Sequence, residues 1–600
     1  MAQRSLTTEE KPKLGDVVVA IDFGTCRTAY SWTSVGDEGE NLVVEKLEGA
    51  GAYAISQIKT PTSVLLEADA NEGGGYAVRA FGYNAEDTYA GEDEHKDWML
   101  FKWFKMSLHK PFNDDPSIRS FDGRELPLSI ILRKSLEYVQ REAIQNLKSK
   151  AILQSGNPHD VFWVLTLPAI WSDFAKSVMR RAAFNAGMIQ SEQSSRLLLA
   201  LEPECAAIAS KTRSTEEWEL NSQFLMVDCG GGTLDVTSFK VLSVNPLKLQ
   251  ELIPPTGGPF GAKLVDDGFF NFIKAILGKQ KFKEAREKHP GVLIHLLKQW
   301  EEKKMMFRFD SGAMEWTSVN LGDVLLNLEI SASLPNIVEA WNAKHPGLPI
   351  RKQGTSNVRL SYALIKSFFA GPVNSIVQKT AEIIEKYSSI LEPLDRIVMA
   401  GGFANCGLLQ QAMREKFEDR TRVIVGLSPD TLIVEGAGIF GARPMELVVS
   451  RKSKYTFGVK ALRRYDYRNL DHRRIDRADV VSCGGREMIN QFSVHGRVGD
   501  DLAVDSKTPM LYYRPENENQ SEAPVIVLIT KSRDVFMANE PGVEELATIT
   551  VPFDMTKHFE ERAIGVQFSF GQTEIFCYIY DRASGKELGR AQPDFRIFNG

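Results

Sequence analysis

A chain of 600 residues exceeds what one hydrophobic core of about 250–300 residues usually organises, so several domains are expected. Hydrophobic residues make up 43% and charged residues 25% of the chain, which excludes wholesale disorder and fibrous repeats. The formal net charge of -6 argues against a nucleic-acid partner and leaves a small anionic ligand open.

The N-terminal residues, the longest apolar stretches and the cysteines indicate in which cellular compartment the protein is expected. Residues 1–15 are polar and charged, lack the apolar centre of a signal peptide and are predicted to be disordered. No apolar stretch reaches the roughly 18–20 residues of a membrane-spanning helix, so no membrane span is expected. Six cysteines without a Cys-x-x-Cys pair fit a reducing compartment, and the predicted location is the cytoplasm.

The first predicted element is a strand over residues 17–22, which ends on a carboxylate and enters a glycine turn at Gly24-Thr25 before a second strand. Residues 162–168 predict another strand, followed by a helix with Ser172 or Asp173 as N-cap and Gly187 as its stop. Strands that alternate with helices indicate an α/β fold.

The first hairpin pattern recurs further along the chain. Residues 224–228 again predict a strand ending on a carboxylate, followed by Gly230-Gly231-Gly232-Thr233. Two copies about 200 residues apart predict a duplicated α/β domain whose halves face each other across a ligand cleft. Residues 396–400 then predict a strand that leads into Gly401-Gly402 and a helix.

After about Pro444 the pattern changes to short alternating strands. Residues 564–570 and 575–579 predict the clearest pair, joined by a turn at Gly571-Gln572, and residues 446–600 are interpreted as a β-rich domain. Six arginines between residues 463 and 477 alternate with aspartates, which favours a solvated, salt-bridged loop and leaves anion binding as the alternative.

The two glycine turns carry the chemistry. Backbone N–H groups in such turns can approach a phosphate closely, and the threonine hydroxyls of Thr25 and Thr233 add donors. Asp22 and Asp228 precede the turns, and two converging carboxylates suit a hydrated Mg²⁺ beside a polyphosphate. Ordinary tight hairpins would explain one such turn but not the doubled pattern. No Walker-type or dinucleotide-binding glycine motif is present.

These turns resemble the two phosphate motifs of the actin, sugar-kinase and heat-shock-70 superfamily. Residues 20–25 are similar to the first motif, and residues 227–235 to the second in its chaperone form. Further similar segments follow in the chaperone order at residues 166–169, 201–207, 261–266, 400–403, 429–430 and 435–437. Trp32, residues 104–106 and residues 257–261 resemble the divergent heat shock 70 kDa protein 12 branch.

The resemblance implies a fold and a set of site residues. The fold would be a duplicated actin-like, ribonuclease H-like, two-lobed ATPase domain over residues 16–445, followed by a smaller β-rich domain. Asp22 and Asp228 would hold Mg²⁺ through water, and Glu202 and Asp228 would position the attacking water. Lys105, in preference to Lys102, would reach the γ-phosphate of ATP. The residues expected to contact ATP or ADP are Gly24, Thr25, Cys26, Gly230, Gly231, Gly232, Thr233, Glu301, Lys304, Gly401, Gly402 and Gly436.

Within that set, Gly401, Gly402 and Gly436 would admit the adenosine. Glu301 and Lys304 would close over it, unless they belong to a solvated charged run.

Three departures from the chaperone pattern predict slow or altered hydrolysis. Cys26 replaces a hydroxyl, Glu204 replaces a threonine, and Met305 stands where an adenine-stacking arginine is expected. Cys26, Cys205, Cys229 and Cys406 lie in or beside the motifs. They would make the site redox-sensitive if one is an exposed thiolate, and the favoured alternative is that they are small buried hydrophobes.

The function that the resemblance implies is an ATP-dependent chaperone in which the nucleotide controls the β-rich domain, with unfolded client segments and co-chaperones as partners. An ATP-responsive scaffold or signalling protein with little turnover is the alternative, and a sugar-kinase-like phosphotransferase is a third. A rough substitute for the family's interdomain linker stands at residues 446–449, and no helical lid is expected after the last predicted strand near Tyr580.

Overall fold

The computed structural model describes residues 13–37, 41–47, 58–69, 75–91, 97–109, 115–213, 218–307, 309, 316–330, 333–443, 448–469, 472, 475–483, 485–504, 506–570 and 575–591. Disorder was predicted for residues 1–15, of which residues 1–12 lie outside the described ranges. The turn predicted at Gly571-Gln572 also lies outside them, as do Glu446, Leu447, Arg473 and Arg474. What is described is a mixed α/β fold with several sheets.

The elements of the first third are β1 (Val17–Phe23), β2 (Arg27–Ser34), β3 (Val43–Glu45), β4 (Thr60–Pro61), β5 (Ser63–Asp69), β6 (Gly75–Phe81), α1 (Gly82–Gly91), β7 (Trp98–Lys102), β8 (Ser117–Arg119), β9 (Glu125–Pro127), α2 (Leu128–Ser149), β10 (Phe162–Leu167), α3 (Asp173–Asn185), β11 (Leu197–Leu201) and α4 (Glu202–Arg213). The middle third contains β12 (Gln223–Cys229), β13 (Leu234–Val244), β14 (Leu247–Glu251), β15 (Thr256–Gly258), α5 (Lys263–Leu277), α6 (Lys279–Lys288), α7 (Pro290–Met306), β16 (Trp316–Asn320), α8 (Gly322–Asn327), α9 (Leu334–Lys344), β17 (Ile350–Gln353), β18 (Asn357–Ser361), α10 (Tyr362–Lys386), α11 (Ser388–Leu391), β19 (Arg396–Ala400), α12 (Gly407–Phe417), β20 (Arg422–Val425) and α13 (Leu432–Ala442). The last part contains β21 (Val448–Lys452), β22 (Thr456–Arg464), β23 (Val480–Cys483), β24 (Arg486–Gly496), β25 (Asp501–Ala503), β26 (Leu511–Tyr513), β27 (Glu522–Thr530), β28 (Glu544–Pro552), β29 (Ile564–Phe570), β30 (Ile575–Asp581) and β31 (Glu587–Ala591). None of the described helices combines the length and the apolar character that a membrane crossing requires.

The same strand arrangement occurs in two sheets. In the first, the order is β11-β10-β1-β2-β3, with β1 and β2 antiparallel and β10 and β11 parallel to β1. In the second, the order is β20-β19-β12-β13-β14, with β12 and β13 antiparallel and β19 and β20 parallel to β12. Asp22 and Asp228 therefore occupy equivalent places near the ends of β1 and β12, directly before the two glycine turns.

Each sheet has its own apolar core. Around the second sheet, Phe269 of α5 stacks on Trp300 of α7 with ring centroids 4.5 Å apart, and Phe368 of α10 meets Trp300 edge-on. A third cluster joins the two sheets through the close contact of α4 with α13. Burial on this scale, at roughly 25 cal/mol per Å² of apolar surface, holds the ends of β1 and β12 in fixed positions.

Strand β21 belongs to the second sheet, although its residues lie where a linker was predicted. It pairs in parallel with β14 and antiparallel with β25. The residues after it form two sheets, of order β23-β24-β22-β27-β28 and β26-β29-β30-β31. The predicted end of the last strand near Tyr580 was wrong, because β31 follows it and pairs with β30.

Candidate functional site

The two glycine turns have the same backbone geometry. The N–H of Gly24 donates to the carbonyl of Arg27 at 3.1 Å, and the N–H of Gly230 donates to the carbonyl of Thr233 at 2.9 Å. A Cβ on Gly24 would lie 2.5 Å from the Arg27 carbonyl oxygen, so only glycine fits the first turn. The two turns are the tight, closely similar hairpins that the repeated sequence predicted.

The turns also face each other in direct contact. A Cβ on Gly231 would lie 2.6 Å from Cys26 Sγ, and one on Gly232 would lie 2.7 Å from Thr25 Oγ1. Since both positions lack a side chain, the backbone of the second turn can approach the first. The N–H groups of residues 261–263 donate to the carbonyls of residues 230–232 at 2.8–3.1 Å and fix the second turn.

One cavity lies between the turns and collects most of the predicted site residues. Its lining includes Asp22, Gly24, Thr25, Cys26, Lys105, Glu202, Asp228, Gly230, Gly231, Gly232, Thr233, Glu301, Lys304, Gly401 and Gly402. Six segments far apart in the sequence thus contribute to a single pocket, and its lining carries both carboxylates and ammonium groups.

Carboxylates crowd one end of the cavity. Asp228 is 2% exposed, and its Oδ1 has no hydrogen-bond partner among the described residues. Burial, with Glu202 and Asp235 as neighbouring charges, raises the pKa of Asp228 well above its usual range. Burial likewise raises the pKa of Glu202 to about 7, against the opposing charge of Lys105. Buried carboxylates so close together repel one another when they are ionised, and a bound cation would offset that repulsion.

Of the two lysines considered for the γ-phosphate, Lys105 reaches these carboxylates. Lys105 lies on the 3₁₀ turn Phe104–His109, is 1% exposed and places its Nζ 3.2 Å from Glu202 Oε1. Lys102 does not line the cavity, since its Nζ forms an ion pair with Glu86. Of the two lysines, Lys105 is therefore the one whose side chain lies at the cavity.

Lys59 is a site residue that the sequence reasoning missed. Its Nζ forms an ion pair with Asp22 Oδ2, and Thr166 Oγ1 donates to Asp22 Oδ1 at 3.2 Å. Lys59 precedes the two-residue strand β4, and so short a segment carries no periodic pattern that could have pointed to it. Its ammonium group therefore contacts Asp22, the carboxylate that was expected to bind the water molecules around Mg²⁺.

The last turns of α7 line the other end of the cavity with Glu301, Lys304 and Met305. Lys304 Nζ lies 2.6 Å from Asp266 Oδ1, which also accepts a hydrogen bond of 2.9 Å from the indole of Trp300. Glu301 lies 3.7 Å from Arg27, whose guanidinium also approaches the Met305 sulfur. Glu301 and Lys304 of the charged run on α7 therefore face the cavity.

The glycines predicted to admit the adenosine differ in role. Gly402 lines the cavity, and a Cβ there would meet no atom within 4 Å. Gly401 has a φ of +83°, and a Cβ would lie 2.3 Å from Asp228 Oδ1. Gly436 is not among the lining residues. It lies in α13 against α4, where a Cβ would be 1.7 Å from the Cys205 carbonyl oxygen, so its glycine allows helix packing.

The cysteines near the cavity are not activated. Burial raises the pKa of the Cys26 thiol to about 12, and it raises the pKa values of Cys205, Cys229 and Cys406 as well. A thiol that stays protonated is a poor nucleophile and oxidises slowly. This favours the interpretation of these residues as small hydrophobes in tight turns.

Several known proteins are similar to this chain over most of its length. No protein-family model matches the chain. It is 26% identical to human "Heat shock 70 kDa protein 12A" over 95% of this chain and 90% of that protein. It is 25% identical to human "Heat shock 70 kDa protein 12B" over 96% and 91% of the two chains. A Synechococcus "Chaperone protein DnaK 3" is 23% identical over 74% of this chain and 61% of that protein.

The chain is similar over most of its length to the divergent heat shock 70 kDa protein 12 branch of the 70-kDa heat-shock proteins. The similarity to the two protein 12 relatives runs nearly the full length, whereas the similarity to DnaK covers a smaller share. The predicted resemblance to the heat shock 70 kDa protein 12 branch is confirmed, and it extends beyond the residues 16–445 from which it was inferred.

Several features of the cavity suit a magnesium–nucleotide. Among the described residues, no group of three or more His, Cys, Asp or Glu forms a metal cage. The carboxylates of Asp22 and Asp228 suit instead a metal ion that keeps most of its bound water. A buried oxygen of Asp228 has no hydrogen-bond partner among the described residues and could accept from such a water. The facing glycine turns supply the close backbone approach that a polyphosphate needs.

Proposed function

We propose that this chain binds Mg²⁺–ATP in the cavity between its two glycine turns, hydrolyses it slowly and thereby controls the C-terminal β strands in a chaperone-like cycle. Residues 16–445 would form the two-lobed nucleotide-binding domain, and residues 446–600 the β-rich domain. One observation supports this most strongly: two equivalent strand ends, each with an aspartate and a glycine turn, line a single cavity that also holds Lys105 and Glu202.

The roles of the residues follow from their positions. Asp22 and Asp228 would hold Mg²⁺ through its waters, and the metal would neutralise charge on the polyphosphate. Thr25 and Thr233 would donate hydroxyl hydrogen bonds to phosphate oxygens, and Lys105 would place its ammonium on the terminal phosphate. Glu202 would accept a proton or a hydrogen bond from the attacking water, a role that its pKa of about 7 suits.

A continuous set of contacts joins this cavity to the C-terminal strands. Glu202 begins α4, and Glu204 on its first turn forms a two-pronged ion pair with Arg451 of β21, with N···O distances of 2.6 and 2.7 Å. Glu204 is 1% exposed, so separating this pair would leave an uncompensated buried charge. A displacement of the start of α4 would therefore also displace β21 through this ion pair.

A second connection runs through the residues after β10. Pro168 lines the cavity, and the N–H of Ile170 donates to Asp235 at 2.8 Å. On the other side, Lys454 Nζ donates to the carbonyl oxygens of Ala169 and Trp171. The same short segment thus faces both the nucleotide site and the C-terminal strands, which supports control of one by the other.

The alternative, an ATP-responsive scaffold with little turnover, is favoured by Lys59. An ammonium bound to Asp22 competes with the water shell of Mg²⁺ for that carboxylate. Met305 at the cavity adds a side chain that cannot stack as an arginine would. Both features predict slow hydrolysis rather than loss of binding.

Single-turnover cleavage of radiolabelled ATP by excess protein, with Mg²⁺, tests the proposal and separates it from the scaffold. Cleavage that depends on Mg²⁺ and accelerates with unfolded protein is expected. Binding of ATP without cleavage over hours would favour the scaffold. Absence of ATP binding would contradict the proposal as a whole.

A further inference from the structure

A second cavity lies in the C-terminal half of the chain, between its two sheets. It has a volume of about 510 Å³ and opens between β22 and β27 on one side and β26 and β29 on the other. Its floor is apolar and buried, and it consists of Val459, Val525, Phe553, Ile564 and Val566. Apolar side chains of a ligand would lose contact with water on entering it.

The rim of this cavity is basic. Arg463 and Arg464 at the end of β22, Arg486 at the start of β24 and Arg514 after β26 all line it and are all exposed. The acidic residue in the lining is Glu516. Four guanidinium groups against one carboxylate give the mouth a net positive charge.

Among the described residues, few acidic side chains offset the positive charge of these rim arginines. Arg463, Arg464 and Arg486 take part in no ion pair with any residue that the structure describes. Arg514 approaches Glu560 at 3.3 Å, but both side chains are more than half exposed, at 57% and 68%, so water screens the pair. Arg463 and Arg464 thus differ from Arg477, which is paired with Glu487 as expected for a salt-bridged loop.

An edge strand borders the same opening. Strand β26 pairs with β29 on one side and with no other described strand. An edge strand presents backbone N–H and C=O groups to which an extended polypeptide can add. A phospholipid or a free anion could use the basic rim, but only a polypeptide could use the rim and the strand edge together.

We infer that this cavity binds extended protein segments in which apolar residues stand next to Asp or Glu. The inference rests on the proposed chaperone-like function and names the class of client that this site would select. Apolar side chains would fill the floor, the backbone would run along β26, and the flanking carboxylates would meet the arginine rim. Guanidinium groups bind carboxylates in two-pronged geometry, so the rim would also select against flanking lysines.

Fluorescence anisotropy on the full-length chain tests the charge preference. Two labelled peptides share one apolar centre of leucine and valine, flanked by two aspartates in one and by two lysines in the other. The acidic peptide is expected to bind at least about tenfold more tightly at low salt. The preference should shrink as salt rises, because exposed charges are screened beyond about 10 Å at 0.1 M.

Matched variants locate the effect. In the Arg463→Gln/Arg464→Gln double variant the preference should fall to within about threefold, while a peptide with uncharged flanks binds as it does to wild type. Arg486→Gln, at a separate point of the rim, should reduce the preference by a smaller factor. Arg477→Gln with Arg590→Gln, two exposed arginines outside the cavity lining, should leave it unchanged.

Equal binding of both peptides, tighter binding of the basic peptide, or an undiminished preference in the double variant would overturn the inference. So would arginine-dependent binding to phosphatidylserine vesicles without binding of either peptide. ATP binding is measured in the same preparation. If ATP binds and no peptide does, the client inference fails alone, whereas loss of both contradicts the proposed function.

Discussion

At the scale of single residues, Gly402 offers the cleanest probe of the proposed nucleotide site. A side chain at this position would enter open space in the cavity, so Gly402→Val should leave the fold intact and obstruct the ligand. The dissociation constant for Mg²⁺–ATP, measured by calorimetry, is expected to rise at least about tenfold, or 1.4 kcal/mol. Gly347→Val is the control, because a Cβ there also meets no atom and the residue lies outside the cavity lining. Unchanged affinity in a folded Gly402→Val protein would remove this glycine from the site.

Asp228 should matter more for cleavage than for binding. Asp228→Asn keeps the shape of the side chain but removes one of the two carboxylates proposed to hold the metal. We expect single-turnover cleavage to fall by about 10²-fold while the ATP affinity changes by less than about fivefold. The variant should also be no less stable without nucleotide, because it relieves a buried carboxylate next to Glu202 and Asp235. Equal cleavage rates in variant and wild type would exclude Asp228 from the chemistry.

Lys59 should set how much Mg²⁺ the site needs. Lys59→Met removes the ammonium that pairs with Asp22, so the carboxylate becomes available to the metal's water shell. The Mg²⁺ concentration that half-saturates ATP binding is expected to fall severalfold, as measured by titration at fixed ATP. Lys263→Met, which removes a partly exposed pair with Asp267, serves as the control. A midpoint that is unchanged or higher would show that Lys59 contacts phosphate rather than competing with the metal.

Residue positions illustrate what the sequence could and could not predict. The glycine turns and their aspartates were predictable because β-branched strands and glycine–threonine pairs are local signals. Lys59 was not, since its role depends on the spatial neighbour Asp22. The ion pair of Glu204 with Arg451 joins residues 247 positions apart, and no local pattern records such a contact. Gly436 was assigned to the adenosine site from its motif, although its backbone packs against α4.

At the scale of elements, β21 is tied to the second sheet by groups that titrate. Burial raises the pKa of Glu251 on β14 to about 8, and its carboxylate accepts a hydrogen bond from the N–H of Lys452. Burial lowers the pKa of the neighbouring Lys454 to about 8. Glu204 and Arg451 lie close by and act on Glu251 in opposite directions.

The raised pKa of Glu251 makes the stability of the folded protein depend on pH. The unfolded chain loses this proton near pH 4.5 and the folded chain only near pH 8, so the stability associated with Glu251 falls as pH rises between those values. Glu251→Gln lacks this fall and keeps an acceptor for Lys452. Its Tm should match wild type near pH 5 and exceed it by at least about 2 °C near pH 8. Exposed Glu219→Gln should show no such difference, and a Glu251→Gln protein that is less stable at pH 8 would contradict the assignment.

Strands were predictable at this scale where β-branched or alternating residues mark them. Strand β19 was predicted at Arg396–Ala400, and α3 begins after the predicted N-cap Ser172, whose hydroxyl accepts from the N–H of Ala175. Strand β31, with Gly589 and few β-branched residues, carries no strong propensity and forms because β30 offers it an edge. Strand β21 was taken for part of a linker because its pairing partners lie in distant parts of the chain.

At the scale of the whole molecule, we propose that the nucleotide site and the C-terminal strands act together. The contacts that would carry this coupling are the Glu204–Arg451 pair and the bonds from Lys454 to the segment after β10. Phe174 at the start of α3 also packs into the apolar cluster of the C-terminal sheets. These contacts cross between the two parts of the chain, so they can respond to a change in either.

Hydrogen–deuterium exchange of the full chain with Mg²⁺–ATP and with Mg²⁺–ADP tests this coupling without the need for a client. We predict that the amides of β21 and of the strands that follow it exchange at different rates in the two nucleotide states. The difference should be lost in Arg451→Met, while the amides of the two glycine turns still respond to nucleotide. Identical exchange of residues 448–591 in both states, with protection confined to the cavity, would contradict the claim.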